Sequence, residues 1–92
     1  MNNKTVAILK SLADDTRISI VRRLAQDECE IASSEIVQAC ADFLKLSQPT
    51  MSHHFARLVQ SGVLIERKVG TEKIYQLDKD LLSSIGVDVT KL

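Results

Sequence analysis

The stretch SQPTMSHHFARLVQSGVL, Ser47–Leu64, holds two adjacent histidines among hydroxyl and amide side chains, with one arginine and no carboxylate. Imidazoles ligate metals, shuttle protons or hydrogen-bond to a partner surface. Adjacent side chains on a helix diverge by about 100°, and helical metal-ligand pairs need a spacing of three or four residues. Position 57 is Arg and position 50 is Thr, so neither histidine has a ligating partner on this helix. Catalysis fares no better. No carboxylate lies nearby in sequence to orient an imidazole, and the stretch offers no activated nucleophile. What remains is a set of hydroxyl, amide, imidazole and guanidinium groups. These hydrogen-bond to phosphate oxygens and to base edges in the DNA major groove. The bland alternative is a solvated helix face, but such faces usually carry Lys and Glu, which this helix lacks.

The element that carries these residues reads as a helix capped by Ser47. Pro49 is tolerated in its first turn, where amides need no intrahelical partner, and Gly62 supplies a left-handed stop. On a helical projection Phe55, Leu58 and Val59 fall within about 80° of Met51, and so form the apolar face. Thr50, His53, Arg57 and Gln60 point the other way, while Ser52 and His54 lie on the flanks. Upstream, TVAILKSLADD and DDTRISIVRRLAQDE read as two helices, the second capped by Asp14 or Asp15 and burying Ile18, Val21, Leu24 and Ala25. CEIASSEIVQACADFLKL reads as a third, capped by Ser33, with Ile36, Ala39, Cys40, Phe43 and Leu44 as its inner stripe. Downstream, VLIERKV and KIYQL with Gly70-Thr71 between them read as a two-stranded hairpin. DKDLLSSIG reads as a short last helix. The expected class is mainly α (α+β), in the order four helices, two strands, one helix. A tight LKLSQ join before the histidine helix and a basic hairpin after it describe a winged helix-turn-helix.

Ninety-two residues suffice for one domain, here taken as residues 1–92, and 3% aromatics require an aliphatic core. Net charge is zero, but residues 45–76 carry Lys45, Arg57, Arg67, Lys68 and Lys73 against only Glu66 and Glu72. Arg67, Lys68 and Lys73 flank the hairpin tip, where they can reach a DNA backbone; alternatively they are ordinary edge-strand charges. The apolar start is too short and too polar for a signal peptide or membrane span, and two cysteines without a CxxC fit a reducing cytoplasm. No Cys-His, Ser-His-Asp or paired-carboxylate arrangement suggests an enzyme.

Three stretches resemble the ArsR/SmtB family of bacterial winged-helix repressors. LADDTRISIVRRL, Leu12–Leu24, is similar to the family's LADPTRLRIL-type second helix. LSQPTMSHHFARLVQSGVL, Leu46–Leu64, is similar to its SQxx[IV]S[RH]HLxxLxxxGL recognition segment. IERKVGTEKIYQL, Ile65–Leu77, is similar to its wing. The resemblance implies a homodimeric repressor or autorepressor on a double-stranded, inverted-repeat DNA operator. Ser47, Gln48, Thr50, Ser52, His53 and Arg57 then match DNA-facing recognition residues, and Arg67, Lys68 and Lys73 match wing contacts. His54 takes the place of a histidine that packs or positions rather than reads bases, and Phe55 takes a core leucine place.

The resemblance also marks a departure. The family's third-helix metal-binding cysteines fall here on Ile36 and Gln38, and the last helix offers acids without histidine. Neither familiar metal site is expected, no cofactor is implied, and the effector stays unnamed. Cys29 and Cys40 leave a thiol-redox response as an alternative, although acids around Cys29 disfavour its thiolate and Cys40 reads as buried. A winged-helix module that binds protein instead of DNA is the other alternative. Val6, Ile8 and Leu9 near one end, and Leu81, Leu82 and Ile85 near the other, exceed what a small core absorbs. They predict a dimer interface made by the terminal helices.

Overall fold

A computed structural model of the chain describes residues 3–26 and 31–92, with the backbone alone at Ile31. Helix α1, Asn3–Leu12, turns Ile8 and Leu12 inward. Helix α2, Asp15–Gln26, starts at a carboxylate cap: the Asp14 side chain accepts the Arg17 amide at 3.0 Å. This satisfies a first-turn donor that the helix itself cannot. Ile20, Val21 and Leu24 form its buried stripe. A two-residue strand β1, Ile31–Ala32, leads directly into helix α3, Ser33–Leu44.

The turn between α3 and helix α4, Gln48–Ser61, is closed by Lys45 in the left-handed region (φ 57°). The Leu46 amide reaches back to the Ala41 carbonyl at 3.0 Å, so carbonyls freed at the helix end are taken up within the turn. Helix α4 has the predicted ends. The Thr50 amide donates to Ser47 Oγ at 3.3 Å, Pro49 sits in the first turn, and Gly62 follows at φ 89°. A side chain at Gly62 would also press on Leu81, 3.3 Å from the position its Cβ would take.

Strands β2, Leu64–Val69, and β3, Glu72–Leu77, form the hairpin around Gly70-Thr71. Strand β1 pairs antiparallel with the other edge of β3, giving a three-stranded sheet in the order β1-β3-β2. Two residues are too few to display an alternating pattern, so the sequence carried no sign of β1. Helix α5, Lys79–Ser84, is capped by Asp78, whose carboxylate accepts the Leu81 amide at 3.0 Å. A 3-10 turn, Val89–Lys91, ends the fold. The helices and strands thus follow the expected winged helix-turn-helix order, with β1 added. Among the described residues no helix is long and apolar enough to cross a membrane.

The core is aliphatic around one aromatic pair. Met51, Phe55 and Leu58 of α4 are fully buried with Ile20, Val21, Val63 and Leu82. The Phe55 and Tyr75 rings stack with centroids 5.2 Å apart, inclined by 25°, which ties the apolar face of α4 to the wing.

Four sequence expectations change. Phe43 is not in the inner stripe of α3: it is 73% exposed. The buried residues are Ile36, Val37, Cys40 and Ala41. At about 100° per residue that stripe centres near Val37 and Cys40, and Phe43 falls roughly 90° to one side of it. Ala39 lies further round and is only half-buried. Ser33 does not cap α3 either. Ala32, which β1 holds paired opposite Ile74, takes the cap position instead, and its methyl has no acceptor for a first-turn amide. Finally, Ile8 and Leu82 are enclosed by their own subunit, 1% and 0% exposed, so they need no partner to cover them. The candidate thiol Cys29 lies outside the described residues.

Candidate nucleic-acid interface

The outward face of α4 is assembled by its cap and its core contacts. Ser47 Oγ accepts the Thr50 amide and donates its own hydrogen to Thr50 Oγ1 at 2.8 Å. The Ser47 hydroxyl hydrogen is therefore committed to the cap, while Thr50 keeps its own hydrogen to donate. With Met51, Phe55 and Leu58 buried beneath, Gln48, Thr50, Ser52, His53, Arg57 and Gln60 are all exposed. No acidic residue lies in the first turn, and none occurs anywhere along Gln48–Ser61. His53, Ala56, Arg57 and Gln60 line a shallow concavity on this face.

The wing presents Arg67, Lys68 and Lys73 exposed. Lys68 and Lys73 stand directly opposite each other across the hairpin. Two like charges in that arrangement repel. The Lys73 ammonium relieves part of the repulsion by lying 3.6 Å from a Glu66 carboxylate oxygen. The wing therefore carries a weaker field than its three cations suggest.

His54 has a different setting. Its Nδ1 lies 3.3 Å from Arg17 Nη1 and 3.8 Å from Asp14 Oδ2, and its side chain is only 16% exposed. A guanidinium has only hydrogens to give, so Nδ1 accepts and the neutral ring carries its hydrogen on Nε2. Arg17 also donates through Nε to the Ser11 carbonyl at 2.6 Å. One arginine thereby joins the end of α1, the start of α2 and the flank of the histidine helix. Burial is the main cause holding the His54 pKa below the ordinary histidine value. Asp14 pulls upward, while Arg17 and His53 add to the depression. The Asp14 carboxyl is held low, first by the Arg17 amide hydrogen bond and then, against a burial penalty, by the positive charge of Arg17, to which His54 adds when its ring is protonated. No carboxylate lies near the histidines in sequence, and the fold brings Asp14 to His54 across 40 positions of it. In the sequence Asp14 and Arg17 signal only a capped second helix.

The remaining candidates separate. Of the terminal aliphatics, Leu9 is 49% exposed, and Val6, Leu81 and Ile85 are half-buried. Cys40 is buried. Among the described residues no three His, Cys, Asp or Glu side chains are grouped to hold a metal ion.

Comparison with known proteins adds a second line of evidence. A helix-turn-helix domain family matches residues 12–67. An uncharacterized HTH-type transcriptional regulator of Methanocaldococcus jannaschii is 35% identical over 82 residues, covering 89% of this chain and 86% of that protein. An arsenical resistance operon repressor of Staphylococcus xylosus is 33% identical, covering 86% and 70% of the two chains. The homodimeric winged helix-turn-helix DNA-binding domain of Mb0332 from Mycobacterium bovis superposes with a TM-score of 0.69 at 25% identity, over 90% of this chain and 71% of that one.

Proposed function

The chain belongs to the ArsR family of winged helix-turn-helix transcriptional regulators, and on that premise we propose that it binds an inverted-repeat operator as a cytoplasmic homodimer. Residues 1–92 act as one domain. Helix α4 enters the major groove, and the β2–β3 wing lies against the flanking backbone. The observation that carries this reading is the outward face of α4, which exposes amide, hydroxyl, imidazole and guanidinium groups without a single carboxylate. Gln48, Thr50, His53 and Arg57 read base edges, Ser52 donates to phosphate, and Ser47, its hydrogen committed to the cap, sets the helix start against the DNA. Arg67, Lys68 and Lys73 supply backbone contacts that carry affinity rather than sequence.

The dimer forms through the terminal helices, using Leu9, Val6, Leu81 and Ile85. Leu9 in particular is a large aliphatic side chain left half in water by its own subunit, at the kind of patch that assembly covers. A two-fold dimer sets its half-sites about one helical turn, roughly 10 bp, apart. Selecting bound duplexes from a random pool, then titrating the winner over a range of salt, tests the proposal. An inverted repeat with that spacing, and affinity falling steeply with salt, is expected. A pool that fails to converge, with no salt-dependent binding, would refute it.

A further inference from the structure

A cleft of about 260 Å³ lies between α1 and α4, beside the face just described. Its walls include Lys10 and Ser11 of α1, Arg17 of α2, and Arg57, Gln60 and Ser61 of α4. Among the described residues three cations line it and no carboxylate does. Arg17 is already engaged, with Ser11 and with His54, and lies beside the Asp14 carboxylate, so it adds only a partly offset positive charge. Lys10 and Arg57 are exposed, and neither has a carboxylate partner among the described residues. Placing positive side chains together is unfavourable unless an anion offsets the repulsion.

We infer that this cleft is a phosphodiester site in which Lys10, from a helix not otherwise assigned to DNA, clamps one backbone phosphate together with Arg57 and Gln60. The inference rests on the proposed DNA-binding role and extends it. Arg57 and Gln60 line both this cleft and the concavity around His53. The cleft therefore opens directly onto the surface that would face the groove. Backbone phosphates run along the rim of a major groove occupied by a helix. A guanidinium, an ammonium and an amide N–H₂ offer a phosphate only donors, with charge to match. Lys10 thus fixes how α1 sits relative to the duplex while reading no base.

The test compares wild type, Lys10→Ala, Lys10→Arg and Lys79→Ala on the selected duplex, and on a scrambled one, between 50 and 200 mM salt. Lys10 is exposed, and matching melting curves confirm that the variants are folded. A dimer that loses one phosphate contact in each subunit loses about 1.8 from the slope of log affinity against log salt, so the fall in affinity over that range shrinks roughly twelvefold. Lys10→Ala is expected to show this on both duplexes with the preferred sequence unchanged. Lys10→Arg restores the slope, and Lys79→Ala, on a helix that does not line the cleft, keeps it. Wild-type slope and affinity in Lys10→Ala would overturn the inference alone. So would a thermal shift by millimolar inorganic phosphate that Lys10→Ala abolishes while its DNA binding stays intact, since the cleft would then hold a free anion instead. A wild type without salt-dependent DNA affinity would overturn the functional reading and this inference with it.

Discussion

His53 and His54 leave the same helix about 100° apart, and their surroundings diverge accordingly. His53 stands in solvent beside Arg57 and Gln60. His54 is turned into the flank of the fold, against Arg17 and Asp14. Below them, Phe55 is buried against Tyr75. The comparison separates two regions of one helix: an outward face whose groups are unspent, and a core-side face whose groups hold the helix in place. Residue type does not distinguish them; position around the helix does. The two phenylalanines teach the same lesson, with Phe55 at 0% exposure and Phe43 at 73%.

The division between the faces can be broken in four ways. Phe55→Ala should have the largest effect, a loss of about 3–5 kcal/mol of unfolding free energy in urea titrations, because it opens a cavity under α4. A loss below 1 kcal/mol would mean that the core-side face is not what anchors the helix. Gln48→Ala or His53→Ala should leave stability unchanged and reduce discrimination between bases by about 1–3 kcal/mol, read as a changed preferred sequence in repeat selections. An unaltered preference in both variants would show that the outward face does not read bases.

His54→Gln tests the flank between the faces. Removing the bond to Arg17 should cost about 1 kcal/mol, and it should flatten the dependence of stability on pH. The sign follows from the depressed His54 pKa. The unfolded chain takes up this proton first, near pH 6.5, so protonation favours unfolding. The stabilisation is complete above about pH 6.5 and is lost as pH falls below it. Asp14, also depressed, loses its contribution only in the more acidic range near and below pH 4. Melting temperatures at pH 7.5 and 5.5 should therefore differ more in wild type than in His54→Gln; equal differences would remove His54 from the account. The smallest effect belongs to Phe43→Ser, within about 0.5 kcal/mol in either direction. A large loss there would indicate that something covers Phe43 in solution.

Much of this division was legible from residue order. Ser47, Pro49 and Gly62 act locally, through cap bonds and backbone angles that depend on a few neighbouring residues, and each sits where its chemistry predicts. The apolar spacing of Met51, Phe55 and Leu58 correctly named the inner face of α4. In α3 the same reasoning misplaced Phe43, because several apolar residues surround that helix and periodicity alone does not choose among overlapping stripes. Ser33 failed as a cap because a strand pairing, invisible in two residues, had already claimed Ala32. Ile8 and Leu82 looked like surplus apolar surface only because the packing that encloses them was unknown.

Composition, caps and periodicity were thus enough to determine the helices, the wing and the polar face of α4, since each depends on interactions within a turn or two of chain. The Asp14–Arg17–His54 junction and the basic cleft at Lys10 and Arg57 were decided only by tertiary structure. Their members come from α1, α2 and α4, and they meet because burying the apolar stripes of those helices leaves one arrangement in which their polar flanks converge. No local signal encodes such a meeting, because what brings the groups together is the packing of other residues.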